Sequence, residues 1–132
     1  MAERTMQDVL SEHEDWLENP ANGKRAVLID GDLSNIDLRG ANLRNADLRG
    51  VSLTGSNLAG ADLSDANLSQ SNMFDVNLQS AILRRTDLTE VDLRRANLKD
   101  ADMTNAETWR TNLKGCRIDP AVLHEILGCT LP

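Results

Sequence analysis

A small residue, then Asp or Asn, then Leu recurs every five positions from Gly31 to Gly115, with no insertion or deletion. A helix repeats every ~3.6 residues and a strand every ~2, so a period of five belongs to neither. The stretch spans 17 five-residue units, and the central residue is Leu in 14 of them, with Met73, Met103 and Thr108 as the exceptions. The preceding residue is Asp or Asn in 14, the exceptions being Ser52, Ile82 and Glu107. Two before the centre the residue is small or β-branched throughout. In extended backbone this spacing turns the small residue and the Leu to one side and the Asp or Asn to the other. The last two residues of each unit must turn the chain. Pairs such as Arg39-Gly40, Thr54-Gly55 and Lys114-Gly115 suit a turn that needs positive φ at its third residue. Extended pieces alternating with turns make a flat-sided coil, and successive coils can stack at about 4.8 Å through backbone hydrogen bonds. One coil alone buries little, so stability comes from its neighbours. Five residues therefore make one side of a coil.

This unbroken A(D/N)LXX register resembles the pentapeptide-repeat family, strictly over residues 31–115 and loosely over about 26–125. The resemblance implies an all-β fold, a right-handed quadrilateral β-helix with four units per coil and roughly four to five coils here. Four core ladders follow from that coil. The first is Leu33, Leu53, Met73, Leu93 and Leu113; the second is Leu38, Leu58, Leu78, Leu98 and Ile118. The third is Leu43, Leu63, Leu83 and Met103, and the fourth Leu48, Leu68, Leu88 and Thr108. With no Tyr, one Phe and two Trp, the chain has to build a thin core from Leu and small residues.

A stacked coil exposes a cross-section at each end, which calls for caps. Residues 1–25 are expected to form an N-terminal helical cap and linker, 26–118 the repeat body, and 119–132 a C-terminal capping helix and tail. Met6, Val9, Leu10, His13, Trp16 and Leu17 share one helical face, Thr5 with Asp8 forms a variant capping box, and Asn19-Pro20 ends the helix. Trp16 and Leu17 are expected over the first coil, with His13 as a packed histidine. At the other end Asp119 is an N-cap, Pro120 a first helical residue and Gly128 a stop, and Leu123, Ile126 and Leu127 form an apolar face. That face reads as a lid on the last coil. The resemblance offers an alternative, a homodimer contact through the C-terminal end.

Little in the sequence points to catalysis. The two histidines lie outside the repeats, at opposite ends, which argues against a His-based nucleophilic constellation. Cys116, His124 and Cys129 match no familiar zinc spacing, and the glycines are corner residues rather than a phosphate loop. No metal and no cofactor is expected. A net charge of −7 disfavours a sequence-blind grip on nucleic-acid phosphates, and no uncharged run reaches the ~20 residues of a membrane span. The chain reads as a soluble cytoplasmic protein without direct nucleic-acid or membrane binding. Its expected role is that of a non-enzymatic module offering rigid faces to an unidentified protein partner.

The resemblance brings an alternative, because members of the quinolone-resistance type mimic DNA and bind DNA gyrase. Charge argues against it: between Gly31 and Ile118 the chain carries 12 acidic and 11 basic residues, so the coil body is nearly neutral. The Asp/Asn column is instead expected to serve turn and stacking hydrogen bonds. A partner-binding patch is expected where the consensus gives way, at Phe74, Ile82, Arg84, Arg85, Arg94, Arg95, Lys99 and Trp109. Arg and aromatic side chains are enriched in binding hot spots. Four units per coil would place Phe74, Arg94 and Lys114 in one column.

Overall fold

The computed structural model describes residues 4–128. Its body is a solenoid whose bridges are all parallel and all join residues 20 apart, from Val27–Asp47 to Asn97–Arg117. A 20-residue coil divided into five-residue units has four sides. The expected all-β character takes a particular form, since each side contributes a single bridged residue and no extended strand occurs among the described residues. The cause is the turn: with two of every five residues at a corner, no side is long enough for a ladder of several rungs.

The consensus is explained by where each backbone N–H goes, as the unit Asp37–Ala41 shows. Leu38 N donates to Asn57 O of the next coil at 2.8 Å, and Gly40 N to Ala59 O at 3.0 Å. Ala41 N closes the turn onto Leu38 O at 3.1 Å, and Asn57 N returns to Ile36 O at 2.9 Å. The first corner donor, Arg39 N, is taken by the Asp37 carboxylate at 3.1 Å. The same bond, two residues back to the outward Asp or Asn, recurs from Ser34 N–Asp32 to Lys114 N–Asn112. In a mid-stack unit such as Asn57–Ala61 all five backbone donors are satisfied in this way, as buried or half-buried amides require.

Every second corner residue from Asp30 to Gly115 is left-handed, and glycine is not required for it. Gly40, Gly50, Gly55, Gly60 and Gly115 have φ of 65° to 71°, while Arg85, Arg95 and Arg110 hold 55° to 61°. An L-residue there costs about 1–2 kcal/mol. The coil-to-coil bonds on both sides of the corner impose the conformation.

The core is the Leu column and the small column beside it. Leu53, Leu58, Leu63, Leu68, Met73, Leu78, Leu83, Leu88 and Leu93 are completely buried; Leu38, Leu43, Leu48, Leu98 and Met103 are nearly so. Full burial of such a side chain contributes about 1.5–3 kcal/mol. The terminal rungs Leu33, Leu113 and Ile118 are half-buried and pack against this core from its ends. In the small column, Thr86 Oγ1 donates to Leu63 O at 2.8 Å and Thr111 Oγ1 to Leu88 O at 2.7 Å, which satisfies these two hydroxyls.

Helix α1, Met6–Glu18, closes the N-terminal end. Thr5 and Asp8 make the capping box in both directions, at 3.1 and 2.9 Å. The helix packs through Met6, Val9, Leu10 and His13. This corrects the expectation for Trp16 and Leu17, which are half-buried and outside the core cluster. Trp16 instead stacks on the His13 ring, 5.6 Å between centroids and 19° between planes. The physical reason is His13 itself: Ala26 N donates to its Nδ1 and its Nε2 meets Arg44 O, both at 2.8 Å, which pins that turn of the helix to the two ends of the first coil.

Helix α2, Pro120–Ile126, starts at Asp119, whose carboxylate accepts Ala121 N at 2.8 Å. Val122 and Ile126 pack on the last coil, and Leu123 is half-buried. Leu127 is corrected from lid to surface at 61% exposure, because α2 ends at Ile126 and turns away through left-handed Gly128. Cys129, the third member of the weighed metal trio, lies outside the described residues.

Candidate functional site

The four-sided coil disperses the expected patch. Phe74, Arg94 and Arg95 occupy one corner column, with Lys114 below them, whereas Arg84 and Arg85 sit on the diagonally opposite corner, ten residues and two sides away. Ile82 lies on the side leading to that opposite corner, bridged to Asp62 and Asp102. Lys99 falls on a third corner and Trp109 on the fourth. The single patch is therefore corrected to separate surfaces, because ten residues of sequence are half a turn of the coil.

Charge pairing then separates the corners. Arg85 grips Asp65, one coil above it, at 2.8 and 3.0 Å, and Arg84 reaches Asp102 at 3.7 Å. Asp65 is held below the usual carboxylate range, first by the Arg85 hydrogen bond. That corner is internally compensated. Lys99 borders a shallow hollow of about 360 Å³ with Asp100, Cys116, Arg117, Ile118 and Asp119, where both signs of charge are present. Trp109 is 63% exposed beneath the Arg110 guanidinium, 5.1 Å from the ring centroid.

The Phe74 corner differs. Arg94 is fixed by Asp92, whose two oxygens receive Nε and Nη2 at 2.9 and 2.8 Å, and its guanidinium stands 5.5 Å from the Phe74 centroid. Arg95 stands 5.4 Å from the same ring. Arg95 bears the relation to Asp75 that Arg85 bears to Asp65, one coil apart on the second corner position, yet no ion pair forms there among the described residues. The half-buried ring holds the guanidinium by its quadrupole instead. Lys114 brings a third cation, and the group encloses a hollow of about 270 Å³ with Gly115.

Among the described residues no three His, Cys, Asp or Glu side chains come together as a metal site, and no helix is long and apolar enough to cross a membrane. Burial raises the Cys116 thiol above its ordinary value, so it is the less reactive thiol form at neutral pH. The Asp column is occupied by its own turns and arginines: Asp37, Asp47 and Asp92 are held low chiefly by hydrogen bonds from Arg39, Arg49 and Arg94.

A four-sided solenoid with an Asx-type turn on most of its sides defines the class of protein. The model of the family described as pentapeptide repeats matches eight copies over residues 21–70 and 71–107, and the chain belongs to that family. Among solved structures it is similar to the pentapeptide-repeat protein Rfr23 of the cyanobacterium Cyanothece 51142, at 34% identity and TM-score 0.66 over 67% of this chain and 60% of that one. HetL of Nostoc sp. strain PCC 7120, a pentapeptide-repeat protein involved in heterocyst differentiation regulation, matches at 37% identity and TM-score 0.58 over 70% of this chain and 47% of its own. The chain thus spans about half to three-fifths of these relatives. QnrB1, a plasmid-mediated fluoroquinolone resistance protein, matches at 16% identity and TM-score 0.57 over 83% of this chain and 75% of that one, a likeness of fold alone. No curated protein matches the chain.

Proposed function

We propose that this chain is a non-enzymatic interaction module of the cytoplasm, a right-handed quadrilateral β-helix that presents its corners to a protein partner. One observation carries this reading. Outward Asp and Asn side chains along all four sides are consumed by the N–H groups of their own turns, from Asp32 to Asn112. The acidic column is thereby a structural element, and residue variation is left to the corners. Family membership supports the same reading, since pentapeptide-repeat proteins are generally structural or interaction modules. The Phe74 corner is the contact site, because it combines an aromatic floor with two cations, Arg95 and Lys114, that pair with no carboxylate among the described residues.

Affinity capture from a lysate of the source organism tests the reading, using the folded wild type beside corner variants. A protein retained by wild type and lost when the Phe74 corner is altered supports it. Enrichment of no protein by any form overturns it. The gyrase reading gains only a likeness of fold, and the paired Asp residues speak against a phosphate-like column.

A further inference from the structure

The Phe74 corner combines features that together define a ligand chemistry. Its floor is the half-buried Phe74 ring, and its walls are the guanidinium groups of Arg94 and Arg95, at 5.5 and 5.4 Å from the ring centroid. Arg94 is already bidentate to Asp92, whereas Arg95 and Lys114 have no carboxylate partner among the described residues. Arg95 also carries its side chain on a left-handed backbone, at φ 61°, in a column where Gly55 and Gly115 take the same conformation without a side chain. A bulky cation is therefore held at a backbone position suited to glycine, and its charge faces solvent across an aromatic plate.

We propose that this corner seats an acidic segment of a partner polypeptide, with carboxylates on Arg95 and Lys114 and the chain lying across Phe74. The inference rests on the interaction-module reading and specifies its partner. Charge complementarity selects the occupant. The site is a cationic island of one corner, since Asp92 neutralises Arg94, Asp75 on the coil above forms no ion pair with Arg95 among the described residues, and two coils above the same corner carries only Thr54 and Gly55. A nucleic acid presents closely spaced phosphates and favours an extended basic track, which one corner with two unpaired cations does not offer. Acidic side chains on a polypeptide need only two cations at one spot, and planar guanidinium matches carboxylate geometry.

Amide NMR of the full chain titrated with a capped hexaglutamate peptide tests this. Saturable shifts should centre on Phe74, Arg94, Arg95 and Lys114 and weaken as salt is added. Lys114→Gln and Arg95→Gly should each weaken binding about fivefold or more. Arg95→Gly separates lost binding from lost folding, because glycine suits this corner and the variant should melt no lower than wild type. Shifts centred on another corner, full binding by Arg95→Gly, or no saturation by about 5 mM peptide would overturn the proposal. So would tighter binding of a hexathymidine oligonucleotide to the same residues, which would make nucleic acid the occupant. A lysate partner held through a different corner would leave the interaction module standing and remove only this assignment.

Discussion

At the scale of single residues, His13 is the group whose chemistry is most constrained. Its Nδ1 accepts the Ala26 N–H, so the ring is assigned as the neutral tautomer that donates from Nε2 to Arg44 O. A proton on Nδ1 would set a donor against a donor. Burial is the main cause that lowers its pKa from the ordinary 6.5; nearby Arg25 adds to the lowering, and the Arg44 carbonyl and Glu14 oppose it. The folded state therefore binds fewer protons than the unfolded chain just below pH 6.5. Stability is complete above that value and is lost as pH falls from it toward the folded pKa. Trp16, stacked on the ring, reports this directly. In a Trp109→Phe background, the urea midpoint of Trp16 emission should drop between about pH 7.5 and 5.5. His13→Ala should destabilise the fold by about 2–4 kcal/mol at pH 7.5, through two unpaired backbone groups, and remove the pH dependence of the midpoint over that window. Asp8 does not confuse the result: its pKa is lowered from 3.8 by the Thr5 hydrogen bonds, so its contribution disappears only in stronger acid.

At the scale of elements, both caps were legible because helix ends are written in local chemistry. Thr5, Asn19-Pro20, Asp119 and Pro120 supply or end hydrogen bonds within a few residues of themselves, so the sequence marks their positions. Which residues of α1 touch the coils was less legible. Trp16 and Leu17 are the bulkier apolar groups, but seating depends on long-range bonds from His13 to Ala26 and Arg44, which no helical period encodes. The approach of the linker is equally hidden. Gly23 has an extended φ of −151° that any residue can adopt, yet a Cβ there would overlap the Glu12 carbonyl oxygen and the Trp16 nitrogen. Both are backbone atoms of α1 and cannot swing aside. Gly23→Ala should push the linker off the helix, break the 3.0 Å bond from Lys24 N to Glu12 O, and destabilise the cap by about 2 kcal/mol or more. Gly60→Ala is the control: open space surrounds it, and its φ of 69° makes it a backbone cost of about 1 kcal/mol. Trp16 emission should register the first substitution and the coil's melting the second.

At the scale of the whole molecule, the period of five made the stack readable, and the four units per coil implied by the family resemblance aligned Phe74 with Arg94 and Lys114. The surface was misread where sequence proximity stood in for spatial proximity. Arg84-Arg85 and Arg94-Arg95 are ten residues apart and face opposite ways, half a turn of the 20-residue coil that the bridges define. That same pairing dictates how the molecule comes apart. Each coil bonds only to the coils before and after it, so stability is close to a sum of nearest-neighbour terms. Leu68 is fully buried mid-stack, whereas Leu113 is a half-buried terminal rung. Leu68→Ala leaves a cavity flanked by coils on both sides and should cost about 2–5 kcal/mol. Leu113→Ala borders a single coil and α2, can relax outward, and should cost about 1 kcal/mol. Amide hydrogen exchange distinguishes the two outcomes by location. The first variant should speed exchange throughout residues 43–98, because opening the middle separates two halves that are each short of neighbours. The second should speed it only near residues 108–126, where the last coil and α2 fray together. Equal, molecule-wide acceleration by both would mean that the stack opens as one cooperative unit, and that the rigidity proposed for its corners is a property of the whole rod rather than of adjacent coils.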